Sequence, residues 1–186
     1  MLKLLIRYWW VFGVRGALAI LYGIYLFFNR DLSLYAFVMV SGFFVLLESL
    51  LLFIITFGRD VEKTRMISTE GILGSVIAVS IILGSGFGSM VMPGVTSILV
   101  PVHIGVWAIV TGALGLTYAA GLRSQMYVAW SFILSSLSAL LCGVWLIIQK
   151  DAGISSLQWL IAAFAVLYGL LQSVMIFKVR SSASQA

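Results

Sequence analysis

The stretch YWWVFGVRGALAILYGIYLFF, residues 8–28, decides the fold because it is long and apolar enough to cross a membrane. A helix rises about 1.5 Å per residue, so about 20 apolar residues span the ~30 Å hydrocarbon layer. The stretch nevertheless carries Arg15 well inside its ends. A charge at that depth is costly unless it meets a partner inside a helical bundle, so the stretch also predicts a polar interior.

The composition of the whole chain is that of a membrane protein. Hydrophobic residues make up 62% of the sequence and charged residues 9%, with a mean hydropathy of +1.16, whereas a soluble domain is about half apolar. The runs are apolar on all sides, unlike the alternating segments of about 10 residues in membrane barrels. Hydropathy therefore predicts an all-α protein with six spans, at roughly 8–28, 32–57, 68–86, 94–120, 127–149 and 154–177.

Lysine and arginine residues predict the orientation of these spans. With six spans, both termini and the second and fourth connections share one side, and the positive-inside rule makes that side cytoplasmic. The net charge of +5 then serves as an anchor at lipid headgroups. It argues against nucleic-acid binding, because the basic residues are split among short segments. The predicted cytoplasmic side holds Lys3, Arg7, Arg59, Lys63, Arg65, Arg123, Lys178 and Arg180, and the other side Arg30 and Lys150.

An internal repeat organises the chain. The segments RGALAILYGIYLFFNRD (15–31) and SSLSALLCGVWLIIQKD (135–151) align at one constant offset, which also pairs Trp10 with Trp130 and Gly23 with Gly143. A third, weaker copy, EGILGSVIAVSIIL, begins at residue 70. We predict a single transmembrane domain of three helical hairpins, approximately 8–59, 66–123 and 127–180. Because each unit has two spans, the repeats are parallel rather than inverted.

The second helices of the three units also align. Their segments SGFFVLLESLL, IGVWAIVTGAL and AAFAVLYGLLQ place Glu48 beside Thr111 and Gly169. Small residues spaced three and four apart recur in the spans, and close backbone contact at such residues is how helices associate in lipid. We interpret them as packing faces of a compact bundle, with a glycine-lined conduction path as the alternative. The predicted packing positions include Gly16, Gly23, Gly71, Gly105, Gly112, Gly115 and Gly143.

Three charged residues are predicted to form a cluster inside the membrane. Counted at about 1.5 Å per residue, Arg15 and Glu48 lie ~10 Å and ~13 Å from the cytoplasmic ends of their helices, so they can pair. Glu70 is a second carboxylate, expected nearer the cytoplasmic surface. One interpretation is an ionic clamp that fixes the helix register; the other is a site that responds to protons or ions.

The remaining polar features point to no enzyme. His103, the only histidine, is either a pH sensor or a residue satisfied by a nearby hydroxyl or carbonyl group. Cys142 is the only cysteine, which excludes an intramolecular disulfide and a cysteine metal site. The uncharged segment GSGFGSMVMPG, 84–94, is predicted to be a flexible interfacial loop, and Asp31 and Asp151 to cap external turns. With no phosphate loop, HExxH motif, paired haem histidines or nucleophile with its base, we expect neither catalysis nor a cofactor.

The segment WVFGVRGALAILYG, 10–23, with an acidic residue in the second helix and Glu-Gly opening the third, resembles the HdeD family of bacterial inner-membrane proteins. The resemblance runs from Trp9 to Arg180, and its Arg-Gly and Glu-Gly positions fall on Arg15, Gly16, Glu70 and Gly71. It implies three two-helix repeats in the inner membrane and a role in survival of acid, by an unestablished mechanism. The proline expected in the hairpin turns is present only in the second unit, as Pro93.

Three functions remain open on this evidence. The first is a non-enzymatic acid-stress protein that stabilises the membrane or limits its proton permeability. The second is a small transporter or channel that uses Arg15 and Glu48 for an anion or a proton. The third is an assembly partner whose fourth helix docks, through Gly112 and Gly115, onto a second copy or another membrane protein.

Overall fold

The computed structural model describes residues 7–29, 32–56, 61–121, 126–149 and 154–183, and every regular element in these ranges is helical. The prediction of an all-α protein with six long helices is confirmed. The predicted turn residues Arg30, Asp31, Lys150 and Asp151, together with Lys3, Arg59 and Arg123, lie outside the described residues. The helices are α1 Trp9–Phe28, α2 Leu34–Thr56, α3 Val61–Val79, the short α4 Phe87–Val91, α5 Pro93–Gly121, α6 Met126–Ile148 and α7 Ile154–Ala183.

Length and apolar composition suit these helices to a membrane. Stretches long and apolar enough to cross a bilayer lie in α1, α2, α5 and α7, and a fifth, Ile67–Gly84, begins in α3 and continues beyond it. The helix α6 contains a shorter one, Phe132–Ile148. Large apolar side chains cover the outside of the bundle, with Phe28, Leu141 and Phe177 exposing 79%, 73% and 73% of their surface. Apolar surface of this extent is stable against lipid and not against water. The chain is therefore a multi-pass membrane protein.

The segment predicted as a loop, residues 84–94, is mostly helical, so that prediction is wrong. A π-helix, Ser80–Gly86, continues α3, and α4 follows it directly. Met92 interrupts the helices, yet its N–H donates to the carbonyl of Gly88 at 2.7 Å. Glycine weakens a helix without forbidding one, so the glycines of this segment are compatible with its helical backbone. The exposed Phe87, Met90 and Val91 do agree with an interfacial position.

The six long helices form a closed ring in chain order, each packing on its two neighbours in sequence and α7 closing onto α1. The most extensive contacts join α2 to α3, α5 to α6 and α7 to α1. Each of these seams joins the second helix of one predicted unit to the first helix of the next. The repeat therefore produces a ring with pseudo-threefold symmetry, whose tightest packing lies between units rather than within each predicted hairpin.

Glycines occupy equivalent places in these seams. A Cβ atom built on Gly23 in α1 would lie 2.7 Å from the carbonyl oxygen of Ala162 in α7. The equivalent Gly143 in α6 would come 2.6 Å from the carbonyl oxygen of Gly105 in α5. The third seam has Ala78 at this position, and Gly71, which is equivalent to Gly16, would bring its Cβ to α2 only at 3.4 Å. The glycines serve helix packing, and none of them lines the larger internal cavity described below.

The fourth long helix, α5, is not free to dock a partner through its small residues. Gly112 faces the carbonyl oxygen of Ser136 and the side chain of Leu140 on α6, and Gly115 faces the hydroxyl of Ser136. The close packing that the small-residue spacing predicted is therefore made within the chain, between α5 and α6. The docking hypothesis for this face is therefore wrong.

The seam contacts also correct the alignment of the last unit. Gly71, Ser136 and Gly16 lie against Ser49, Gly112 and Gly169 respectively, so these last three residues are structurally equivalent. Tyr168, rather than Gly169, is then the counterpart of Glu48 and Thr111. The sequences of apolar helices can be aligned in several registers, and only the directions of the side chains in the structure show which register is right.

Candidate functional site

A buried cluster of charges lies at the centre of the ring. Arg15 Nη2 donates to Glu70 Oε1 at 3.0 Å and lies 3.5 Å from both Glu48 Oε2 and the Tyr168 hydroxyl. The three charged residues expose 2% of their surface or less. The structure therefore brings together Arg15, Glu48 and Glu70, as the sequence predicted. It makes Glu70 the closer partner and places it at the level of Arg15, not nearer the surface.

Two tyrosines extend the hydrogen bonding of this cluster. The Tyr118 hydroxyl donates to Glu70 Oε2 at 2.7 Å, so both oxygens of that carboxylate are engaged. Gln172 Nε2 donates to the Tyr168 hydroxyl at 3.0 Å. Neither tyrosine was predicted as a site residue. The repeat alignment did not point to Tyr168, because it placed Gly169 beside Glu48.

Each of the six long helices contributes one residue to this polar layer. Arg15, Glu70 and Ser135 are equivalent in the first helices of the three units, and Glu48, Thr111 and Tyr168 in the second. Two apolar layers flank the polar layer along the bundle. Each layer takes one buried residue from every long helix, or from the π-helix that continues α3. Toward the termini the layer is Phe12, Ile55, Ile67, Tyr118, Phe132 and Met175. On the opposite side it is Leu26, Phe37, Ile81, Val100, Leu146 and Leu157.

The charges of the cluster do not balance. Two carboxylates face one guanidinium, which leaves one negative charge in excess if both are ionised. An uncompensated charge is costly inside a bundle that apolar layers separate from water. Glu48 is the less satisfied carboxylate, because its contact with Arg15 is the longer one and its Oε1 has no hydrogen-bond partner. Glu48 is therefore where a proton or a small cation would relieve the excess charge.

A cavity of ≈ 50 Å³ adjoins Glu48 on the side away from the termini. Small residues create it, because Ala19, Ala139, Val45, Ala108 and Ala165 face inward at the same level. Most of its wall is apolar or aromatic. The hydroxyl of Thr111, which also lines it, has no hydrogen-bond partner. A second cavity of ≈ 10 Å³ lies on the other side of the polar layer, against Arg15 and Gln172.

The other predicted site residues lie apart from the cluster or play no part in it. His103 Nδ1 donates to the carbonyl oxygen of Leu99 at 2.8 Å, because a carbonyl oxygen can only accept. Its Nε2 lies 3.1 Å from the Ser80 hydroxyl. The histidine lines neither cavity. Cys142 is a free thiol in the wall of the larger one. Among the described residues, no group of three histidine, cysteine or carboxylate side chains could hold a metal ion.

Comparison with known families now identifies the repeat. The model of a family described as a short repeat of unknown function (DUF308) matches the chain three times, over residues 14–83, 79–148 and 134–186. The chain belongs to this family. No curated protein and no solved structure matches it.

The first and third short-repeat matches agree with the periodicity of the sequence, and the second does not begin at the equivalent position. The first and third begin at residues 14 and 134, a separation of 120 residues, which is also the separation of Trp10 from Trp130. Both begin one residue before a position of the polar layer, Arg15 in α1 and Ser135 in α6. The second begins at residue 79, at the end of α3. The limits predicted for the three hairpin units stay a prediction.

Proposed function

We propose that this short-repeat protein is a non-enzymatic protein of the bacterial inner membrane that acts in resistance to acid, with Glu48 as its proton-binding group. The assignment to acid stress and to that membrane rests on the resemblance to the HdeD family. The role of Glu48 rests on one observation, the sharing of a single guanidinium by two buried carboxylates. That imbalance is the feature a purely structural clamp does not need.

Protonation of Glu48 has a mechanical consequence in this arrangement. The ionised carboxylate attracts Arg15 and so ties α2 to α1, two helices whose direct contacts are among the sparsest in the ring. A neutral Glu48 loses that attraction, whereas Arg15 keeps its shorter bond to Glu70. Uptake of a proton would therefore loosen the α1–α2 seam and leave the other charge pair in place.

The test is survival of an extreme-acid challenge by cells that lack the protein and carry wild type, Glu48→Gln, Glu48→Asp or an empty vector, with membrane abundance measured for each. We expect Glu48→Gln to reach wild-type abundance and to lose protection, and Glu48→Asp, which keeps a carboxylate, to protect in part. Full protection by Glu48→Gln would refute the role of the carboxylate. Wild type that performs like the empty vector would refute the acid-stress function itself.

The cavity beside Glu48 favours a second candidate, a small transporter or channel. Apolar layers cover the cluster on both sides in this conformation, so transport would need a second conformation that opens one of them. Proteoliposomes with a trapped pH-sensitive dye would measure proton entry under an imposed gradient. Entry above that of empty liposomes, lost in Glu48→Gln, would support transport, and equal rates would exclude proton transport.

A further inference from the structure

The larger cavity has the composition of a site for a small organic cation. Aromatic side chains supply much of its wall, namely Tyr22, Phe44, Trp107, Phe164 and Tyr168. The rings of Tyr22 and Phe44 stack at 4.2 Å with an interplanar angle of 8°. Aromatic faces attract cations, and walls of this kind recognise ammonium groups.

Two buried oxygen atoms in the same wall lack partners. They are Glu48 Oε1 and Thr111 Oγ1, and Glu48 exposes only 2% of its surface. The other hydroxyls are engaged, because Ser41 donates to the carbonyl oxygen of Phe37 and accepts from Tyr22, each at 2.7 Å. Buried polar atoms in proteins are almost always hydrogen-bonded. The unpartnered acceptors therefore point to a donor that enters the cavity.

The charge of the site selects a cation. Glu48 turns its Oε2 to Arg15, its Oε1 has no partner, and Glu48 lines the larger cavity, whereas Arg15 lines only the smaller one. A positive group in the larger cavity would thus meet the carboxylate without meeting the guanidinium first. It would also cancel the excess negative charge of the cluster, which a neutral ligand would not.

Size and ligand chemistry narrow the choice further. A water molecule needs roughly 10–15 Å³ by this measure, so ≈ 50 Å³ accommodates about three to five atoms of that size. Hard metal ions such as Ca²⁺ require six to eight oxygen ligands, whereas this wall offers two free oxygens and several rings. We infer that the cavity beside Glu48 binds ammonium or a short alkylammonium ion, held by Glu48 Oε1 and Thr111 Oγ1 within an aromatic wall.

This inference uses the carboxylate of the proposed function but is tested separately, on purified protein at constant neutral pH. Binding of radiolabelled methylammonium to the full chain in lipid nanodiscs would be measured by scintillation proximity. We expect one saturable site per chain, displaced by ammonium and not by sodium or by choline, which is too large. Absence of saturable binding, or equal displacement by choline or sodium, would overturn the proposal whatever the acid-survival result.

Three variants locate the site. Glu48→Gln should weaken methylammonium binding roughly 30-fold or more, because it removes one member of a buried charge pair. Ala108→Leu should abolish binding with Glu48 intact, because the larger side chain fills the cavity. The matched change Ala113→Leu, on the exposed face of the same helix, should leave binding unchanged. Wild-type affinity in folded Glu48→Gln or folded Ala108→Leu would show that methylammonium binds elsewhere.

Discussion

The unequal sharing of Arg15 between two carboxylates predicts an order of stability among variants of the cluster. Arg15→Met leaves Glu48 and Glu70 buried without a cation, and removal of one partner of a buried ion pair costs about 3–5 kcal/mol. Glu70→Gln weakens the 3.0 Å contact with Arg15 and the 2.7 Å bond from Tyr118, at about 2 kcal/mol. Glu48→Gln removes the excess charge and only a 3.5 Å contact, so we expect a loss below about 1 kcal/mol.

The two glutamate variants are matched controls for each other, because both exchange a carboxylate for an amide of the same shape. The free energy of unfolding would be measured in mixed micelles by dodecyl sulphate titration, with circular dichroism and tryptophan fluorescence as probes. The triple variant Arg15→Met/Glu48→Gln/Glu70→Gln should recover most of the loss of Arg15→Met, since no charge then remains buried.

A loss in Glu48→Gln equal to that in Glu70→Gln would refute the reasoning, because it would mean that the two carboxylates share the guanidinium evenly. A triple variant no more stable than Arg15→Met would locate the cost in lost packing of the arginine stem instead of in unpaired charge.

Three further predictions follow from the contacts. Gly143→Ala would place its Cβ 2.6 Å from a carbonyl oxygen of α5 and should lower the free energy of unfolding by about 1–3 kcal/mol. Gly94→Ala has nothing within 4 Å of its Cβ and should leave that free energy unchanged. Equal effects of the two changes would contradict the close packing of α6 on α5 at Gly143. Tyr118→Phe removes the hydroxyl that donates to Glu70 and should cost about 1.5–3 kcal/mol in the same titration, and stability equal to wild type would count against that bond. Cys142, which lines the larger cavity, should react with N-ethylmaleimide much more slowly in nanodiscs than after denaturation, and fast native labelling would show that the cavity opens to water.

Hydropathy placed the helix ends within a few residues where a helix ends with its apolar run. It was less accurate where the helix continues beyond that run. The third helix begins at Val61, before the apolar run, because backbone hydrogen bonding continues through the charged interface that hydropathy excludes. The segment 84–94 shows the reverse error, since an uncharged connection was predicted to be a loop and the backbone stays mostly helical. Ring closure was not predictable either, because similar small-residue faces on every helix allow several pairings.

The charged members of the cluster were predictable, but neither their unequal pairing nor their tyrosine partners were. Glu70 was expected nearer the surface than Arg15, whereas the two side chains are in direct contact. The repeat alignment had already given it the position of Arg15, and therefore the same depth. Tyr118 carried no signal, because a tyrosine in an apolar helix is commonly a headgroup contact. Only the structure shows that its hydroxyl is directed inward to Glu70.

The divergence of the repeats accounts for the site. Three identical copies of the first unit around a pseudo-threefold axis would place three arginines and three glutamates at one level, with no charge in excess. Here the position of Arg15 is held by Glu70 and Ser135 in the other units, and that of Glu48 by Thr111 and Tyr168. Opposite charges and neutral donors can therefore meet at one level while the glycine seams keep the shared geometry. One carboxylate more than the cations can balance remains, and the role proposed for Glu48 rests on that excess.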